Sequence, residues 1–266
     1  MLMAVGEVEL SVATHGDGGD AGRTLVLLHG FTGAADDWSG VVGELAADRR
    51  VVTVEHRGHG DSTNTGDAAT YSFDQLVADF AAVADALELD RFDLLGHSMG
   101  GIVAMRYALA HPERLRSLLL MDTGGAASPD GGPMEAFMRA GFTLAREGGM
   151  VAVFDAISPH MGEGAEADAA RAVLRGKYER MDPVAFFTLG EELLTHPSVL
   201  DRLAGLDLPT TVLVGESDGL RPEADALAAT IPGAVLRVIP DAAHSPQVEN
   251  RAAWLEVVRE HLARLD

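Results

Sequence analysis

An α/β fold, with a mostly parallel sheet covered by helices on both faces, is predicted by three features of the sequence. Strand-like runs alternate with stretches whose apolar residues recur at helical spacing, the order that parallel strand pairing requires. The runs Thr24 to Leu28, Val51 to Val54 and Phe92 to Leu95 are apolar nearly throughout rather than at every second residue, as expected of strands buried on both faces. Third, Gly96-His97-Ser98-Met99-Gly100 joins one such run to a helical pattern. A serine between glycines at a strand-to-helix turn is held in a cramped conformation at the carboxyl edge of a sheet, above a helix N-terminus.

The remaining elements follow from the same periodicities. Glu7 to Thr14 alternates polar and apolar residues, which reads as an early edge strand or hairpin arm, and Asp17-Gly18-Gly19-Asp20 breaks it. A helix is predicted over Phe73 to Leu87 and another over Met99 to Ala110, which Pro112 stops. Leu115 to Met121 is the next strand. From Gly124 to about Pro197 the rhythm changes to helical stretches with short breaks, opened by Gly124-Gly125 and Asp130-Gly131-Gly132-Pro133. This segment holds five of the ten methionines and five of the nine phenylalanines. It reads as a helical cap, residues 124–197, inserted into a core formed by residues 1–123 and 198–266. The sheet resumes at Thr210 to Val214, followed by a helix around Glu223 to Thr230, a strand at Val235 to Ile239 and a closing helix over Ala252 to Leu265.

Composition narrows the function. With 20 basic and 41 acidic residues the net charge is −21, which repels nucleic acid and anionic membrane surfaces. There is no cysteine, so disulfides, a cysteine nucleophile and thiolate metal sites are excluded. The sequence shows no basic start with a sustained apolar segment and no run of membrane-spanning length. The expectation is a cytoplasmic protein, a monomer or small homo-oligomer, with a small molecule rather than a macromolecule as its partner.

A serine hydroxyl is a poor nucleophile at neutral pH and needs an adjacent base. A histidine serves if a carboxylate orients it and stabilises the imidazolium that forms. For a serine on this kind of turn the acid and then the histidine follow in the chain. Val214-Gly215-Glu216-Ser217-Asp218-Gly219 leaves one strand and offers Asp218; Val238-Ile239-Pro240-Asp241-Ala242-Ala243-His244 leaves the next and offers His244. Adjacent parallel strands would carry both loops to the edge where Ser98 stands. Glu216, Asp241 and above all Asp122, at the end of Leu115 to Met121, are rival acids. Acyl transfer also needs two amides aimed at the oxygen that becomes negative. Met99 N–H, after the serine, is one, and Phe31 N–H, in the turn His29-Gly30-Phe31-Thr32-Gly33, is the other. His97 is expected to point away from the serine. His56 and His59 share a turn without a suitably spaced third ligand, so no metal is expected. Arg57-Gly58 is read as stabilising its own loop, and Trp38 and Trp254 as packing anchors.

Taken together, His29-Gly30-Phe31, Glu55-His56-Arg57-Gly58-His59-Gly60-Asp61-Ser62, Gly96-His97-Ser98-Met99-Gly100-Gly101, Asp218 and Ala243-His244 resemble the α/β-hydrolase family over nearly the whole chain. The resemblance implies an eight-stranded sheet, a cap after the sixth strand, no metal or organic cofactor, and an acyl-enzyme mechanism. One departure is Glu55, where relatives often carry aspartate. The implied activity is cleavage of a small carboxylic ester or lactone. Serine rather than aspartate at position 98 argues against the haloalkane dehalogenase and epoxide hydrolase chemistries of the family. A second reading is carbon–carbon bond hydrolysis or a lyase reaction on a vinylogous acid. His29 to Gly33 with Trp38 resembles the lyase of menaquinone synthesis, but Ile102 follows Gly101 where that lyase usually carries arginines nearby. Perhydrolase chemistry uses the same site, and a noncatalytic ligand receptor on this fold is the reading of another class.

Overall fold

The computed structural model describes residues 1–16, 23–127 and 132–265. In chain order the strands are β1 (Leu2–Val5), β2 (Val8–His15), β3 (Leu25–Leu28), β4 (Val51–Val54), β5 (Phe92–His97), β6 (Leu115–Met121), β7 (Thr210–Gly215) and β8 (Val235–Ile239). The helices are α1 (Val42–Leu45), α2 (Phe73–Ala86), α3 (Met99–Ala110), α4 (Pro133–Ile157), α5 (Ala165–Glu179), α6 (Pro183–Thr195), α7 (Leu200–Leu203), α8 (Arg221–Thr230), α9 (Pro246–Glu249) and α10 (Arg251–Ala263). The strands form one eight-stranded sheet in the order β1-β2-β4-β3-β5-β6-β7-β8. β1 and β2 pair antiparallel, as do β2 and β4, and the other pairs are parallel.

The apolar strands are buried on both faces because successive side chains point to opposite sides of the sheet. Val26, Leu28, Leu94, Leu118, Leu120, Val212 and Val214 pack on one face with α2 and α3 residues such as Phe80 and Val103. Leu25, Leu27, Leu95, Leu119, Met121 and Leu213 pack on the other with Trp38, Leu45 of α1, and Trp254 and Val258 of α10. Both tryptophans are fully buried, with ring centroids 6.3 Å apart. Polar side chains cap two helices: Ser72 accepts the Gln75 N–H at 3.1 Å at the start of α2, and Asn250 accepts the Ala253 N–H at 3.3 Å at the start of α10.

Differences from the sequence reading are local. Glu7 to Thr14 is the second arm of a hairpin whose first arm, Leu2–Val5, is too short to show a period. The short helices ahead of β4 lie in a stretch whose periodicity did not announce them. The break at Asp17-Gly18-Gly19-Asp20 and the residues Asp130-Gly131 lie outside the described residues.

Between β6 and β7 the chain leaves the sheet and forms α4, α5 and α6, with α4 kinked where Gly149 adopts φ 71°. These helices have their own apolar cluster, including Phe142, Met150, Phe154, Tyr178, Met181 and Phe186. Polar contacts fasten them to the core. Lys177 Nζ bonds Asp37 at 2.6 Å, Arg180 bonds Asp36 at 2.6 Å and Asp61 at 3.2 Å, and Asp182 accepts from Tyr71 OH at 2.6 Å and Gly66 N–H at 2.7 Å. Among the described residues, no helix is long and apolar enough to cross a membrane.

Candidate active site

β5 delivers Ser98 to the carboxyl edge of the sheet, where the chain reverses at once into α3. Ser98 takes φ 51° and ψ −117°, a conformation that costs energy for a non-glycine residue and persists only where its surroundings enforce it. They do so tightly. Ser98 N–H bonds Met121 O at 2.8 Å, and Thr123 Oγ1 donates to Ser98 O at 2.7 Å. A Cβ on Gly96 would overlap Gly100 of α3, and one on Gly100 would stand 2.5 Å from Leu28 O. Glycines at both positions are therefore what lets helix and strands close around the turn.

The turn after β3 presses on the same point. A Cβ on Gly30 would lie 3.0 Å from His97 Nδ1 and 3.1 Å from the Ser98 Cβ. His29 fixes this turn, its Nδ1–H donating to Gly30 O at 2.8 Å while its Nε2 accepts the His56 N–H at 3.0 Å. Phe31 follows, and its ring stacks on Phe186 of α6 with centroids 5.1 Å apart. Met99 is the first residue of α3, where an amide has no carbonyl of its own helix to bond.

Asp218 and His244 come from the loops after β7 and β8, which are neighbours in the sheet. His244 Nδ1 bonds Asp218 Oδ2 at 2.9 Å, and the Asp218 carboxylate also accepts the Leu220 N–H at 3.1 Å. Burial pushes the Asp218 carboxyl up, but hydrogen bonds from His244, Asp122 and Leu220 outweigh it and hold the group below the usual carboxylate range. The His244 loop is tied to the serine turn by His97, whose Nε2–H donates to His244 O at 2.8 Å. The sequence reading had His97 pointing away from the serine. It is buried and lies edge-on to Trp38, and no local pattern announces its bond to a residue 147 positions distant. Asp122, the rival acid, is buried behind Asp218 and accepts the Gly215 N–H at 2.9 Å. Neither Glu216 nor Asp241 reaches the imidazole; Glu216 Oε2 instead sits 3.4 Å from the Asp241 N–H.

His29, His56 and His59 form a second imidazole group beside the site, with ring centroids 4.6 to 6.3 Å apart. Burial is the main force lowering the proton affinity of all three, and it lowers His59, His97 and His261 each to about 4. These imidazoles are neutral when folded, whereas unfolding restores the ordinary value near 6.5. Below that value the unfolded chain binds protons that the folded chain refuses, so the contribution of these imidazoles to stability is flat above it and falls as pH drops toward 4. Thermal unfolding followed by circular dichroism is expected to give a Tm lower at pH 5 than at pH 7 by about 5 °C or more.

The family model of the alpha/beta hydrolase fold matches residues 23–251. The chain is 32% identical over 262 residues to a pimeloyl-[acyl-carrier protein] methyl ester esterase of Aeromonas hydrophila, covering 94% of this chain and 98% of that protein. It is 28% identical over 255 residues to a 2-hydroxymuconate semialdehyde hydrolase of Pseudomonas sp. strain CF600, covering 92% and 89%. The crystal structure of the enol-lactonase from Burkholderia xenovorans LB400 superposes with a TM-score of 0.85 at 24% identity, covering 99% and 100%, a likeness of fold. The match spans the serine turn and both later loops, and the chain belongs to the α/β-hydrolase family as a hydrolase of that fold.

Proposed function

We propose that this hydrolase cleaves a small carboxylic ester or lactone through an acyl-enzyme formed on Ser98. The observation that carries the reading is the join between the three loops: His244 bonded to Asp218 on one side and held through its carbonyl by His97, the neighbour of Ser98. Ser98 Oγ attacks the carbonyl carbon and passes its proton to His244, whose imidazolium Asp218 stabilises. The amides of Phe31 and Met99 receive the oxyanion; losing one such donor costs about 2.7–4 kcal/mol of transition-state stabilisation. His244 then gives the proton to the leaving alcohol, or to the alkoxide of an opened lactone. Water, activated by His244, releases the acid and restores Ser98. None of these steps calls on a metal or organic cofactor.

Residues 124–197 act in this reading as the cap. The Phe31 ring bridges the oxyanion turn to its apolar cluster, where Phe142 meets Phe186 with centroids 5.6 Å apart, and such a surround suits an apolar acyl group. The match to a methyl ester esterase over nearly the full length of both chains supports ester cleavage. Carbon–carbon hydrolysis of a vinylogous acid is the second reading, favoured by the match to a hydrolase of 2-hydroxymuconate semialdehyde.

A fluorophosphonate probe is expected to label the wild-type chain and not Ser98→Ala, and p-nitrophenyl esters of increasing acyl length are expected to be turned over by the wild type alone. Binding of esters without labelling or turnover would make the protein a receptor. Inertness toward every ester and lactone, with cleavage of a dienone acid, would move the reaction to carbon–carbon bonds.

A further inference from the structure

We infer that Asp122 is a protonated positioning residue that donates a hydrogen bond to Asp218, so that two stacked carboxyl groups rather than one hold His244. The inference rests on the triad reading above and extends it by one residue. Asp122 stands one step beyond β6, its N–H bonding Leu213 O at 3.0 Å, and it adopts φ 47° with no exposure to solvent. A left-handed aspartate with no access to water is a costly arrangement, and it places the carboxyl group directly beneath the Asp218 loop. Asp122 Oδ1 accepts the Gly215 N–H, whereas Oδ2 is buried with no hydrogen-bond partner if it is an acceptor. An oxygen of each aspartate and a ring nitrogen of His244 all lie within 4.8 Å of one another.

Two carboxylates this close, one of them wholly buried, disfavour ionising together. The proton goes to the one whose charge is served worse. Asp218 has the His244 Nδ1–H and the Leu220 N–H to stabilise its charge; Asp122 has one backbone amide. Burial and then the bond to Asp218 push the Asp122 carboxyl far above the usual range, against the pull of the Gly215 N–H. As an O–H, the orphaned Oδ2 becomes a donor to Asp218 and every polar atom of the pair is satisfied. The bond fixes the rotation of the Asp218 carboxylate and lowers its basicity, keeping the shared proton on the imidazole while leaving the negative charge that an imidazolium needs.

The groups facing Asp122 are Asp218 from the β7 loop, His244 from the β8 loop and Glu249 of α9. Two of these are acidic, so loss of the Asp122 proton at alkaline pH puts a second negative charge beside Asp218. The carboxylates then part and His244 loses its alignment.

Infrared spectra of the full-length wild type and Asp122→Asn at pH 7 test the proton directly. The wild type is expected to show the carbonyl stretch of a protonated carboxylic acid, shifted in deuterium oxide, and Asp122→Asn to lack it. Asp122→Val removes the donor and is expected to lower kcat about ten-fold with KM unchanged, the equivalent of one ordinary hydrogen bond. Asp122→Asn, whose amide can donate to Asp218 and accept from Gly215, is expected to recover most of that loss and to lack the alkaline fall of kcat/KM expected of the wild type. Absence of the band, or equal losses in both variants with an unchanged pH profile, overturns the inference. Should Asp122→Val not fold, the wild-type and Asp122→Asn spectra still decide. Failure of the probe to label wild-type Ser98 would sink the triad reading separately, because the infrared band reports Asp122 whether or not the enzyme turns over.

Discussion

His244→Ala is expected to lower kcat for a p-nitrophenyl ester by about 10⁶-fold, the scale on which removal of the base disables a serine triad. Asp218→Ala is expected to cost less, about 10⁴-fold, because the imidazole remains in place without its orienting partner. The folded chain is expected to tolerate the first change well. The His244 side chain is 46% exposed, and substitutions at such positions usually move stability by about 0.5 kcal/mol or less. Stopped-assay kinetics beside thermal melts check both halves. A loss of activity that tracks a loss of fold would remove His244 from the chemistry.

Asp79→Ala carries the largest effect expected on stability. Arg57 Nε and Nη2 each donate to the Asp79 carboxylate at 2.6 Å, with the two side chains only 8% and 5% exposed. A third bond runs from Arg57 Nη1 to Thr70 O at 3.0 Å, and Gln75 Nε2 donates to Asp79 at 3.1 Å. Removing one partner leaves a guanidinium buried without its counter-charge, a change that costs about 3–5 kcal/mol. For a chain of this size Tm is expected to fall by about 10 °C, with kcat near the wild-type value well below the melt. Replacing both residues together, Arg57→Met with Asp79→Leu, is expected to restore part of the loss because no lone charge remains. A melt unchanged by Asp79→Ala would show that water reaches the guanidinium.

The sheet was legible because its signals are local. Continuous apolar runs, a glycine-bounded serine and turns at strand ends each lie within a few residues, and their order along the chain implies neighbouring loops. The same reading favoured Asp218 as the acid for its glycine-bounded loop and kept Asp122 as a rival, since both end adjacent strands and periodicity does not say which side chain an imidazole meets. Geometry separates them, with His244 Nδ1 at 2.9 Å from Asp218 and Asp122 one layer below. The tie from His97 to His244 and the pairing of Arg57 with Asp79 were illegible for another reason. They join residues 147 and 22 positions apart through side chains whose directions only the packed fold sets. The role read for Arg57, stabilising its loop, was within reach because a charged residue in a glycine turn needs a partner; the identity of that partner was not.

Phe31 belongs to two parts of the molecule at once. Its backbone lies in the turn pressed against Ser98, and its ring rests on Phe186, 15° from coplanar. In the proposed reaction, a bulky substrate tail that wedges α6 outward drags on the same peptide unit that would hold the nascent charge. Discrimination by size then registers as a slower chemical step rather than as weaker uptake. Reshaping the helical roof to admit larger compounds without re-seating that aromatic stack trades breadth against speed.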